Sequence, residues 1–320
     1  MFCLQHIIIY MFVIVQCFAH ESPLGRNVIE QRIRDMGFHD VAHNPANLSI
    51  SEWRDLNKDD GTFRWSFSMP RLNGTMANIT GNGRCQIHGK AITIAWIKTT
   101  SNKYELDMVD THMNALQASG MSNDAKDYTL CYLEPIYTET CSRTRRCIGK
   151  FIQGVATKIA FAYEVLLKMK KAGHINSLLF LMDTDVVALK PFLTLKHYLT
   201  NETDGAFMEA SPGDKRYMNT GFYVLKPVEN ALTFLRKVYL AMYYDQKSGG
   251  PGLHDQAWAH IVIDRMESTL FKWITFPSTD VTGIISAINC NTSAYHAIHT
   301  RDYVEKRALM LKGLKRVEKC

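Results

Sequence analysis

An α/β fold, doubly wound around a mostly parallel sheet with helices on both faces, is what this sequence predicts, and three observations predict it. Leu178-Leu179-Phe180-Leu181-Met182 is a short unbroken apolar run, the pattern of a strand covered on both sides. Comparable runs at residues 91–97 and 128–133 are joined to it through helical patterns, which is the strand, helix, strand alternation of a parallel sheet. The chain has 320 residues, room for one domain of this class, commonly about 200 to 250 residues, and an extension besides.

Taking the elements in order, residues 1–19 read as a cleaved signal peptide or an uncleaved Golgi-type anchor. Residues 7–18 are almost wholly apolar, and Cys17-Phe18-Ala19 supplies small residues before the polar His20-Glu21-Ser22. No Lys or Arg precedes the apolar core, so the α-amino group alone provides the positive end. Either form sends the rest of the chain into the secretory pathway, to the Golgi lumen or outside the cell. Glycosylation sequons at Asn47, Asn73, Asn78, Asn201 and Asn291 agree with that. So do the cysteines left after the leader: Cys85, Cys131, Cys141, Cys147, Cys290 and Cys320 form an even set compatible with three disulfides of open connectivity. Cys141 and Cys147 bracket the basic Arg143, Arg145 and Arg146, so a short disulfide-closed loop fits there. Zinc is disfavoured because no Cys-x-x-Cys pair occurs.

Residues 20–85 lack long apolar periodicity and are rich in Asn, Asp, Gly and Ser, with Trp53, Trp65 and Phe67 as isolated anchors. They read as a stem or N-terminal extension to a domain over residues 86–320. Within that domain the strand at 91–97 leads through a polar loop to a helix ending near Gly120, then to the strand at 128–133. Ile152, Val155, Ile159, Tyr163, Leu166 and Leu167 recur at helical spacing, with Lys168, Lys170 and Lys171 in the last turn and Gly173 as the stop. The apolar strand at 178–182 follows. Residues 205–210 read as a further strand, 217–225 as a loop entering another, and 229–244 as an amphipathic helix with Leu232, Leu235, Tyr239 and Met242 on one stripe. Gly249-Gly250-Pro251-Gly252 breaks the chain before a helix that opens at His254-Asp255-Gln256 and runs to about residue 266.

The apolar strand runs directly into Asp183-Thr184-Asp185. Ligands of open α/β sheets bind beyond the carboxyl ends of the strands, and hard carboxylate oxygens there suit Mg²⁺ or Mn²⁺ and, through the metal, a diphosphate. The plainer reading is a turn whose aspartates cap the next segment. A net charge of +6 suits an anionic ligand and is equally ordinary for a secreted protein. No nucleic-acid-binding signature occurs. Further along stand Asn219-Thr220-Gly221-Phe222, His254-Asp255-Gln256 and Tyr295-His296-Ala297-Ile298-His299.

In that order these motifs resemble the GT-A class of nucleotide-sugar glycosyltransferases. They are most similar to the nucleotide-diphospho-sugar transferase family that includes plant cell-wall arabinosyl-, galactosyl- and xylosyltransferases. The resemblance covers residues 92–306, give or take several positions at each end. It implies a GT-A type fold and a Mn²⁺ (or Mg²⁺) ion chelated by Asp185, with Asp183 reaching the metal or the ribose. It implies a further histidine ligand, His299, with His296 as the rival. It also implies Asn219 and Gly221 against the donor, Asp255 and Gln256 beside the donor sugar or acceptor, and Lys158 facing a phosphate, against the alternative of a solvent-facing lysine. The partners implied are a nucleoside-diphosphate sugar and a glycan or glycoprotein acceptor, with a possible N-terminal membrane anchor and no nucleic acid. Retention of anomeric configuration is the implied course; inversion would need a base such as Asp255 or Glu209. The sequence departs from the family where His299 is followed by Thr300-Arg301-Asp302 instead of Asn and an aromatic. Two rival readings are a haloacid-dehalogenase-like phosphohydrolase, with Asp183 as nucleophile and Asp185 as acid/base, and a non-catalytic secreted carbohydrate-binding protein.

Overall fold

The computed structural model describes residues 52–55, 62–70, 76–97, 103–136, 148–211, 213, 215, 217–247, 254–265, 270–298, 300 and 302–319. All lie within one compact unit, Ser49–Cys320. The leader, the Cys141–Cys147 loop and the Gly249-Gly250-Pro251-Gly252 break fall outside the described residues, as do Asn47 and Asn73. Among the described residues no helix is long and apolar enough to cross a membrane.

In chain order the elements are β1 (Glu52–Asp55), β2 (Thr62–Pro70), β3 (Met76–Arg84), β4 (Ile92–Ile97), α1 (Lys103–Ala118), β5 (Tyr128–Ile136), α2 (Ile148–Lys171), β6 (Leu178–Met182), β7 (Val186–Ala188), β8 (Gly205–Glu209), β9 (Met218–Leu225), α3 (Glu229–Lys247), α4 (Asp255–Arg265), β10 (Trp273–Phe276), β11 (Val281–Thr282), β12 (Ala294–His296) and α5 (Tyr303–Val317). Nine strands form the main sheet in the order β1-β2-β3-β5-β4-β6-β9-β8-β10, and β11-β12-β7 form a second, small sheet. Of the seven strands from β3 to β10, β5, β4, β6, β8 and β10 run one way; β3 and β9 run against them. The expected mostly parallel, doubly wound sheet is therefore present, with β9 inserted antiparallel beside β6.

Strand periodicity divides the core. Ile92, Ile94, Trp96, Phe180, Met182, Phe222 and Val224 share one buried cluster with Leu116 and Met121 from and just beyond α1. The alternate residues face the other way: Phe207 meets Phe234 of α3 edge-on, at 5.8 Å between ring centroids. Helices thus cover both faces, which is why β4, β6 and β8 are buried at every position. The expected helix stops hold too. Gly120 (φ 72°) and Gly173 (φ 76°) take the left-handed conformation that a side chain disfavours, and the Gly173 N–H closes on the Lys170 carbonyl at 3.0 Å.

The described part of the 20–85 extension is three antiparallel strands, β3 of which pairs with β5 and so continues the main sheet. Arg84 faces Tyr132 in that register, and the next pair, Cys85 and Cys131, is joined by a disulfide. Cys290 is disulfide-bonded as well.

Candidate metal centre

The β6 strand ends in a turn that separates the two aspartates. The Asp183 N–H donates to the Gly221 carbonyl at 2.8 Å, prolonging the β6–β9 pairing, and the Val186 N–H returns to the Asp183 carbonyl at 3.1 Å. The chain then enters β7, which pairs antiparallel with β12 so that Val186 faces His296. The Ala297 N–H bonds the Asp185 carbonyl at 3.0 Å. That short ladder carries His296, 111 positions further on, to the motif: its Nε2 lies 3.0 Å from Asp185 Oδ1. One ligand atom each from Asp183, Asp185 and His296 lie within 4.8 Å of one another.

Gly221 makes this approach possible. A Cβ placed there would stand 2.0 Å from Cε1 and 2.5 Å from Nδ1 of His296, so only a residue without a side chain lets the imidazole lie against β9. The same stretch of β9 is irregular. Its pairing with β8 jumps from Phe207↔Tyr223 to Met208↔Asn219, leaving Thr220, Gly221 and Phe222 in a bulge, the device that re-aims side chains beside many sites. Asn219 is buried, and its Oδ1 accepts the Gly221 N–H at 2.8 Å.

Lys158 rises from the buried face of α2. Its Nζ donates to Asp183 Oδ1 at 2.8 Å and to the Thr220 carbonyl at 3.2 Å, and lies 2.8 Å from Asp255 Oδ2 in an ionic approach without hydrogen-bond geometry. The alternative of a solvent-facing lysine fails here: Lys158 is buried between two carboxylates. Burial alone would depress the ammonium; Asp183 and Asp255 more than reverse this and hold it above the ordinary lysine value. Asp255, in the first turn of α4, is buried, and Gln256 beside it is half-buried. His299 lies outside the described residues; among the described residues the imidazole brought to the two aspartates is that of His296.

Two residues at this place had no sequence signal. Lys306, in the first turns of α5, pairs through Nζ with Asp185 Oδ2. His112 of α1 is fully buried; its Nδ1 lies 2.7 Å from the Val186 carbonyl and its ring meets Trp96 edge-on. Burial pulls His112 down to about 4, against the opposing pull of that carbonyl and of Asp185. Asp185 itself would be pushed up by burial, but His296 and then Lys306 hold it well below the usual carboxylate range. Glu209, the alternative base, is buried and accepts the Gly213 N–H through Oε2 at 2.8 Å.

Two carboxylates and one imidazole at this spacing suit a divalent ion. The flat cradle at Gly221 and the buried, unpartnered Nδ1 of His296 fit a ring held in place for ligation through Nε2.

No protein-family model matches the chain, and no curated protein is similar enough to count as a relative. Among solved structures it is similar to a glycosyltransferase involved in glycosylation of the major capsid of PBCV-1, at 14% identity over 69% of this chain and 98% of that one, with a TM-score of 0.45. Mouse xyloside xylosyltransferase 1 matches at 7% identity over 65% and 98%, with a TM-score of 0.38. The galactosyltransferase LgtC matches at 12% over 70% and 96%, with a TM-score of 0.35. Likeness of this degree decides neither chemistry nor substrate.

Proposed function

We propose that the chain is a metal-dependent glycosyltransferase, moving a sugar from a nucleoside-diphosphate sugar to a glycan or glycoprotein acceptor in the secretory pathway, with retention of anomeric configuration. The observation that carries this reading is the meeting of Asp183, Asp185 and His296 at the carboxyl end of β6, beside the Lys158–Asp255 pair and the Asn219–Gly221 bulge. It also rests on the motif order that resembles the GT-A class.

In this reading Asp183, Asp185 and His296 hold Mn²⁺ or Mg²⁺, with His299 the alternative imidazole. The bound ion supplies Lewis-acid charge that offsets what develops on the departing nucleoside diphosphate. Lys158 acts by position, not by touching a phosphate, since its charge is already matched by two carboxylates. It holds Asp183 toward the metal and Asp255 toward the sugar side from a single buried ammonium. Asn219 and Gly221 present a close-approach surface to the donor, and Gln256 lies next to Asp255 at the rim. The acceptor hydroxyl oxygen bonds the anomeric carbon on the face the diphosphate leaves, the sugar–phosphate bond breaks, and the hydroxyl proton passes to the departing phosphate oxygen. Glu209 has one oxygen engaged by the Gly213 N–H, which favours a structural role for it over that of a base. The secretory location rests on residues 1–19 and the sequons; Asn201 and Asn291 are exposed.

The phosphohydrolase alternative asks Asp185 to exchange protons. A buried carboxylate with the His296 imidazole at one oxygen and the Lys306 ammonium at the other suits holding an ion better than exchanging protons. The test is hydrolysis of a panel of UDP- and GDP-sugars by the full chain with Mn²⁺, set beside a generic phosphomonoester. Donor turnover that stops on adding chelator is expected; metal-dependent release of phosphate from the monoester alone overturns the reading.

A further inference from the structure

Asp185 has no free oxygen. Oδ1 faces His296 Nε2 and Oδ2 is paired with Lys306 Nζ, so a divalent ion that takes up Oδ2 must displace the ammonium that the chain itself provides. The two partners differ in how firmly they are held. His296 is fixed by the β7–β12 ladder and by contact with Gly221. Lys306 arrives on a four-carbon stem with a side chain more than twice as exposed as that of Asp185, 20% against 8%, and long lysine stems move their heads toward water at little cost.

The helix that carries Lys306 is anchored without it. Asp302 caps α5 by accepting from the Val304 and Glu305 N–H groups. Gly313 packs against Tyr295, Arg316 donates to the Ile285 carbonyl at 2.6 Å, and Met310 is buried in the cluster that includes Val187 and Tyr295. The side chain can therefore leave while the helix stays.

We propose that Lys306 is a built-in stand-in for the metal, occupying Asp185 in the empty protein and yielding it when the ion binds. This rests on the metal reading above and deepens it. The stand-in keeps a buried carboxylate compensated when no ion is present, which avoids an unpaired interior charge. Its cost is affinity: the fraction of molecules with Asp185 open scales the observed metal affinity down. The protein then retains the ion weakly alone, and any donor diphosphate that stabilises the displaced state raises metal affinity in proportion.

The experiment is a calorimetric titration of MnCl₂ into the full chain without nucleotide, for the natural protein, Lys306→Met and Lys306→Gln. Both variants are expected to bind Mn²⁺ about tenfold more tightly. They should melt at lower temperature than the natural protein without metal, and gain more from adding it. Asp185→Asn in the Lys306→Gln background should abolish the gain, placing the ion at this carboxylate. Should Lys306→Met fail to fold by circular dichroism, Lys306→Gln, which keeps a donor, decides the matter. Equal or weaker Mn²⁺ affinity in the folded variants, with binding by the natural protein intact, overturns the stand-in and leaves the metal reading standing. Absence of Mn²⁺ binding in all the proteins overturns both.

Discussion

Asp183 and Asp185 stand one residue apart and have opposite surroundings. The Asp183 side chain is 36% exposed and held by Lys158, a cation that it shares with Asp255. That of Asp185 is 8% exposed and clamped between His296 and Lys306. The turn between β6 and β7 sends the first carboxylate to the α2–α4 side of the sheet and the second to the β12–α5 side. A single short motif thus recruits two separate support systems, one built from α2 and α4 and one from β12 and α5. In the proposed enzyme both carboxylates reach the ion, the first from beside Asp255 and the sugar, the second from beside His296.

Removing the shared cation should have the largest effect on the first half. Lys158→Met leaves two carboxylates facing each other, Asp255 buried, and truncating one member of a buried charge cluster costs about 3 to 5 kcal/mol. Urea unfolding of this variant should show that loss, with Asp183→Asn in the same background recovering part of it. Full stability in Lys158→Met would mean that the two halves do not differ in the way described.

The second half should instead respond to acid. His112 sits behind Val186 and is held at about 4, against 6.5 in the unfolded chain. Between those values the unfolded chain binds a proton that the folded one refuses, so stability from this group is complete above 6.5 and is lost as pH falls toward 4. At 1.36 kcal/mol per pH unit the window amounts to roughly 3 kcal/mol at most. His112→Gln, which keeps a donor for the Val186 carbonyl, should flatten the stability profile between pH 6.5 and 4, and an unchanged slope would remove His112 as the cause.

The two halves also differ in how far the sequence discloses them. The Asp183 side is read from local signals: an apolar strand running into carboxylates, a helix with Lys158 one turn from its core positions, and Asp255 at a helix opening. The fold then brings these together at 2.8 Å. The Asp185 side depends on contacts across 111 and 121 positions. His296 and His299 are close in the chain, and β12 is three residues long, too short for its alternation to mark either; it is pairing with β7 that sets His296 opposite Val186. Lys306 is one of several basic residues on α5, and nothing local sets it apart. The β2 strand is a different case. Phe63, Trp65, Phe67 and Met69 alternate with polar residues, the two-residue period of a strand, but a search for unbroken apolar runs passes over such a pattern and sees only isolated anchors.

The most direct test of the account is calorimetric titration of UDP and GDP, each with saturating Mn²⁺, into the natural protein and Asp185→Asn. Metal-bridged binding at Asp185 predicts that the natural protein binds a nucleoside diphosphate and that the variant, folded by circular dichroism, does not, with donor turnover down roughly a hundredfold or more. Equal affinity in the two proteins would contradict it.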